Sequence, residues 1–142
     1  MEVDFKNHEV ENGYRLGHEA LYDKDYRLAI KHFQNAISMA PEQPVLHLTL
    51  ASAYYGLGDF NKQVESLTEA IKTDSNFYPA YSNRGKAHLR LQNIQAAIDD
   101  FKKAITLDST KRVDYFGISE CYFLERDYCT EAKYIQRGLD KT

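Results

Sequence analysis

Apolar residues recur along this chain at intervals of three and four, as in Tyr26, Ala29, Ile30, Phe33, Ala36 and Ile37, the spacing that lays side chains along one face of an α-helix. No segment shows a comparable strand alternation. The pattern also repeats as a whole: shifting the sequence against itself by 34 residues brings like residues into register four times, which is the mark of a repeat architecture. Small residues recur at Gly17, Ala51, Gly85 and Ser119 and again at Ala36, Ala70, Ala104 and Gly138. Bulky ones recur at Tyr26, Phe60, Ile94 and Tyr128, at Phe33, Leu67, Phe101 and Ile135, and at Ile37, Ile71, Ile105 and Leu139. The small series mark places where two helices approach closely. Asp25, Asp59, Asn93 and Asp127 stand just before the second helix of each unit, where a short side-chain oxygen can accept from the free amides of a first turn.

Each unit therefore holds two helices of about 13 residues, roughly 20 Å long, joined by a short turn. The expected pairs are 10–22 with 26–39, 44–56 with 60–73, 78–90 with 94–107, and 112–124 with 128–139. Breaks fall at Ala40-Pro41-Glu42-Gln43-Pro44, at Gly58-Asp59, and at Asp74-Ser75-Asn76 followed by Pro79; proline near a helix start lacks only an amide that would be unpaired anyway. Residues 1–9 read as an N-terminal extension and 10–142 as one domain of four units, 10–43, 44–77, 78–111 and 112–142. An extra residue within Tyr128–Ala132 would make Ala132 the small position of the last unit. The unshifted register is preferred because it keeps Ile135, Gly138 and Leu139 in their series.

Composition narrows what such a chain does. It is 43% hydrophobic and 27% charged, with a net charge of −3, ordinary for a folded protein and without the surplus of cations that a phosphate backbone or an anionic membrane requires. Nucleic acid and membrane insertion are not expected. The start, Met1-Glu2-Val3-Asp4-Phe5-Lys6, has no basic segment followed by an apolar run, and nothing later approaches the roughly 18 apolar residues of a membrane span. Cys121 and Cys129 stand eight apart without a CxxC spacing, and no Asn-x-Ser/Thr site occurs. A cytoplasmic protein is expected.

These residues resemble the tetratricopeptide repeat family, whose 34-residue pattern combines small and bulky positions as seen here. The first unit carries Leu16-Gly17, Tyr26, Ala29, Phe33, Ala36 and Pro41, and the third Tyr81, Gly85, Ala97, Phe101 and Ala104. The likeness spans residues 10–142, with departures at Gly13, Gln63, Glu131, Ser75 and Ser109 and its weakest unit at the end. It implies an all-α fold, a right-handed α-α superhelix (solenoid) of four helix-turn-helix units, and a concave groove that binds a protein or peptide. By the family pattern the groove is lined by Glu11, Tyr14, His18 and Leu21; Val45, Leu48, Ser52 and Tyr55; Pro79, Ser82, Lys86 and Leu89; and Val113, Phe116, Glu120 and Phe123, with Asn83 and Arg90 joining Lys86 in a locally cationic centre. Aromatic anchors suit an extended or helical peptide, while Tyr55, Leu89 and Phe123 are read first as packing between helices and second as groove lining. One family subtype clamps a peptide's terminal carboxylate with lysine, asparagine and arginine. The matching positions here are Tyr14, His18, Thr49, Pro79 and Asn83, so the clamp is expected to be absent.

No GxxxxGK[ST], GxGxxG, HExxH or zinc-spaced cluster occurs, and His8, His18, His32, His47 and His88 are scattered; no enzyme, cofactor or metal site is expected. Cys121 lies among inward positions and Cys129 near a turn. Asp99-Asp100 with Lys102-Lys103 reads as a solvated helix face. Two alternatives accompany the adaptor reading. RNA recognition by helical-pair repeats fits poorly with the acidic balance. Self-association follows from the chain stopping at Thr142 without a further polar helix, although Glu131, Lys133, Gln136, Arg137, Asp140 and Lys141 would let the last helix cover itself.

Overall fold

The computed structural model describes residues 7–141, and among them it contains eight helices and no strand: α1 (His8–Tyr22), α2 (Tyr26–Met39), α3 (Pro44–Leu57), α4 (Phe60–Thr73), α5 (Tyr78–Arg90), α6 (Ile94–Leu107), α7 (Arg112–Leu124) and α8 (Tyr128–Leu139). They fall into two compact units, Met1–Ser75 and Asn76–Thr142, divided within the Asp74-Ser75-Asn76 break. In each unit every helix packs on the next one along the chain. The expected helices all form. The one shift of note is at α1, which starts at His8 with Asn7 Oδ1 accepting from the Glu9 amide at 2.9 Å; residues 8 and 9 thus belong to the first helix, with Asn7 as its cap, rather than to an extension, and residues 1–6 lie outside the described residues.

The 34-residue period is written into the backbone. Lys24, Gly58, Gln92 and Arg126 all adopt positive φ, between 59° and 75°, the left-handed conformation that ends a helix. The amide of the following residue then reaches back to close the first helix: Asp25 to Ala20 O (2.8 Å), Asp59 to Tyr54 O (3.0 Å), Asn93 to His88 O (2.8 Å) and Asp127 to Tyr122 O (2.9 Å). The same residue opens the second helix. Asp25, Asp59 and Asp127 accept from the amides of Leu28, Lys62 and Thr130, each at 3.1 Å. The Thr130 hydroxyl and amide hold the Asp127 carboxyl below the usual carboxylate range. Asn93 departs from the pattern: it makes no capping bond, and its amide lies 3.5 Å from His88 Nδ1.

Packing centres on rings seated on small residues. In the first unit Phe33, wholly buried, sits among Ala20, Ala29, Leu50 and Ala53, and a β-carbon on Gly17 would stand 2.3 Å from its ring. Val10, Ala36, Ala40 and Leu46 form a second cluster. In the other unit Phe101 packs with Ala97, Ile98, Ile118 and Cys121, over Gly85 and Gly117.

Two expectations are corrected. Asp100 is not on a solvated face: it is 5% exposed, because Nε and Nη2 of Arg84 donate to its two oxygens, each at 2.8 Å, a paired geometry that offsets the cost of burying a carboxylate. Asp99 does stay exposed, accepting from Gln95 at 2.9 Å. The last helix does not cover itself either, since Tyr128, Ile135 and Leu139 are all exposed on α8; its charged residues occupy other faces.

The turn geometry gives a direct test. Gln92→Gly removes a left-handed non-glycine residue and is expected to raise stability by about 1 kcal/mol, whereas Gly58→Ala is expected to lower it by about 1 kcal/mol. Urea denaturation should show the two midpoints moving in opposite directions with the slope unchanged.

Candidate functional site

In the first unit the expected lining comes from α1 and α3, whose helical spacing carries Tyr14 and His18 on one and Leu48, Ser52 and Tyr55 on the other. Tyr14 and His18 form an edge-on ring pair with centroids 4.4 Å apart, and His18 in turn meets Phe33 edge-on at 5.5 Å. Tyr14 is half-buried and also packs against the core clusters, so burial pushes its phenol up; the same cause pulls His18 down. A histidine lowered in this way is neutral at neutral pH. Ser52 is exposed, with its hydroxyl donating to Leu48 O at 3.2 Å. Tyr55, 49% exposed, lies 6.2 Å from the Phe60 ring, and Leu48 is partly buried.

The second unit gathers more of the predicted residues. Lys86, Leu89 and Arg90 of α5 and Glu120 and Leu124 of α7 line an open cleft of about 220 Å³. Lys86 and Leu89 stand three apart and Lys86 and Arg90 four apart, so one helical face delivers all three. Two cations and one carboxylate over two leucines can hold an extended segment that offers an acidic group beside an apolar one. Leu124 was not among the expected residues; it lies outside the family's main lining positions, one period after Arg90, and is 52% exposed. Phe123 is 53% exposed, its ring 6.0 Å from that of Tyr128. Phe116 is also exposed, with one edge against Gly138, where a β-carbon would stand 2.8 Å from it. Asn83 is partly buried and donates through Nδ2 to Pro79 O at 2.8 Å, which ties its amide to its own helix.

Ser82 is a correction. Expected in the groove, it is buried, and its hydroxyl donates at 2.7 Å to Asp114, whose second oxygen accepts from the Tyr78 hydroxyl at 2.5 Å. Asp114 has no exposed surface, and a carboxylate removed from water takes the nearest donors. Burial, followed by the bond to Asp114, pushes the Tyr78 phenol up. The sequence carried one signal of this network: Asp114 occupies the series that holds Leu46 and Ala80 in the two preceding units. Cys121 is buried and its thiol is pushed up to about 11 by desolvation, while Cys129 is exposed.

Among the described residues no group of three or more His, Cys, Asp or Glu could hold a metal ion, and no helix is long and apolar enough to cross a membrane. Residues 20–62 and 78–111 match family models described as tetratricopeptide repeat. The small glutamine-rich tetratricopeptide repeat-containing protein 2 of Saccharomyces cerevisiae is 25% identical over 124 residues, 87% of this chain and 34% of that protein. The chain spans about a third of the length of the curated relatives it matches. A crystal structure of MamA superposes with a TM-score of 0.89 at 20% identity, over 93% of this chain and 77% of the other. The first TPR of Spaghetti (RPAP3), bound to the HSP90 peptide SRMEEVD, superposes with a TM-score of 0.81 at 21% identity, over 88% and 99% of the two chains. Those structures share this fold.

The two thiols should separate in a labelling experiment. With an aromatic disulfide reagent at neutral pH, one thiol per native chain is expected to react, and Cys129→Ser should remove it; Cys121 is expected to react only on unfolding.

Proposed function

The chain belongs to the tetratricopeptide repeat family, and from that premise we propose that it is a non-enzymatic adaptor that holds a peptide or protein segment on the exposed face of its first helices. The observation that carries this reading is the cleft of Lys86, Leu89, Arg90, Glu120 and Leu124, flanked on α7 by exposed Phe116 and Phe123. A folded protein gains nothing in stability by leaving aromatic rings beside a mixed-charge cleft, whereas such anchors are what binding surfaces use. The occupant that fits has an acidic side chain for Lys86 or Arg90 and an apolar one for the leucines. Two unpaired cysteines, one exposed, fit a reducing cytosol.

Peptide-bound relatives of this fold give the reading its precedent, since one carries the HSP90 peptide SRMEEVD and another, the second TPR domain of human RPAP3, the HSP70 peptide SGPTIEEVD. This chain would hold such a segment differently. At the positions where the family's carboxylate clamp would act, the Thr49 hydroxyl donates to Leu46 O at 2.9 Å and is buried, and the Asn83 amide is bonded to Pro79 O. Tyr14, His18 and Pro79 offer no cation at neutral pH. Recognition then rests on side chains within the segment and not on its terminal carboxylate.

Fluorescence anisotropy with labelled SRMEEVD, in free-acid and amidated forms, tests this. Amidation is expected to change Kd less than about threefold. Lys86→Glu is expected to weaken binding about tenfold, or roughly 1.4 kcal/mol, with thermal stability unchanged. Binding of neither form, loss on amidation, or indifference to Lys86→Glu would each contradict the reading.

A further inference from the structure

The repeat lets a surface of the first unit be compared, position by position, with its equivalent two periods later. Between α2 and α4, over α3, the first unit has an open cleft of about 640 Å³. Ile37, Leu50, Tyr54 and Val64 give it an apolar lining, and exposed Glu65 and Glu69 stand at its rim. At the equivalent place in the second unit the chain supplies its own filling. Tyr134 of α8 stacks on Tyr122 of α7, with ring centroids 5.7 Å apart and planes 17° from parallel. It packs on the cluster that holds Ile98 and Ile118, and the Arg137 guanidinium lies 5.0 Å from its ring centre. Tyr115 is buried beside them, with the same guanidinium 5.3 Å from its ring. Two periods earlier, Tyr122 is matched by Tyr54, but Ser66 stands for Tyr134, His47 for Tyr115 and Glu69 for Arg137. The first unit thus keeps the ring that is stacked upon and lacks the ring that stacks.

We propose that this cleft is a second binding site, on the side of the second helices, for a protein segment that carries an aromatic side chain and, about one helical turn from it, a lysine or arginine. That is the pair which Tyr134 and Arg137 supply within the second unit. Tyr54 is half-buried, and its hydroxyl accepts from Gln34 Nε2 at 3.4 Å, which fixes the ring. Lys62 Nζ already stands over that ring, 5.6 Å from its centre, so an occupant adds a stacked ring there and not a further cation. The volume lies within the range of clefts that bind ligands and admits backbone as well as a ring.

Charge selects the rest of the occupant. Lys133, Arg137 and Asp140 of the second unit correspond to Glu65, Glu69 and Lys72 of the first, so all three signs are reversed. Lys72 Nζ meets Glu69 at 2.7 Å, but both side chains are more than half exposed, and such a pair contributes little. A guanidinium anchored by its neighbouring ring can displace it and bind the carboxylate through two donors. The surrounding field has the same sign: residues 1–75 carry twelve acidic and seven basic side chains, against nine and eleven in residues 76–142. A basic segment is drawn to the first unit, and the acidic segment that suits Lys86 and Arg90 is repelled from it.

Nitrogen-15 amide shifts of the whole chain during addition of the blocked peptide acetyl-Ala-Tyr-Ala-Ala-Arg-Ala-amide are the test. Saturable shifts are expected at Tyr54, Glu65 and Glu69, with a Kd of about 1 mM. Exchanging the peptide's arginine for glutamate, or its tyrosine for alanine, should weaken binding about tenfold. Glu65→Lys, at an exposed position, should weaken it about fivefold, and Lys72→Gln should strengthen it. Ser66→Tyr puts the second unit's ring into the cleft and should abolish the shifts with circular dichroism unchanged; should that variant not fold, Glu65→Lys and the altered peptides decide alone. Absence of saturable shifts, shifts confined to α5 and α7, equal binding of the glutamate peptide, or indifference to Glu65→Lys would each overturn the proposal.

Discussion

Phe101 has no exposed surface because it lies between Gly85 of its own helix pair and Gly117 of the next helix, where β-carbons would stand 2.9 and 2.6 Å from the ring. Phe33 rests on Gly17 in the same way. A ring seated where a side chain would otherwise stand fixes how closely two helices approach, and close-packed interiors do not allow that distance to drift. The rest follows from this spacing. With the helices so close, Cys121 and Ile118 fall into the same cluster, the first-helix face is left with its long residues outward, and any second helix that is not covered shows the apolar stripe meant for a neighbour.

The turns make this contact repeatable. A single residue in each unit closes the first helix with its backbone amide and, in three of the four, opens the second with its carboxylate. Such a turn has no slack in length. The residue before it takes the left-handed conformation at Lys24, Gln92 and Arg126 as well as at Gly58, so geometry is retained even where the sequence offers no glycine.

Much of this was legible beforehand because repetition multiplies weak signals. A lone Asp59 or Gly85 says little, but four residues in register fix helix boundaries to within a residue or two. What repetition carries it also limits. Ser82 and Asp100 were misplaced because each departs from its own series: buried Asp114 recruits Ser82, and Arg84 draws Asp100 inward, and neither partner lies at a repeat-conserved spacing. The exposed stripe of α8 was misjudged for the opposite reason: its charged residues suggested a helix that covers itself. Its residues match the repeat, so they read as core, and only the three-dimensional arrangement shows that nothing among the described residues covers them. Within the candidate site, Lys86, Arg90 and Glu120 were foreseen, while Leu124 was missed although it lies four residues after Glu120 and one period after Arg90.

Binding on the first helices, through α5 and α7, is open to one direct measurement. Backbone amide shifts in a nitrogen-15 spectrum of the whole chain, followed while an acidic peptide is added, would map contact without altering a residue. The expected shifts cluster at Lys86, Arg90 and Glu120 and spare the outer surfaces of α6 and α8. Shifts confined to those second helices would contradict the account and place recognition on the opposite side of the repeat.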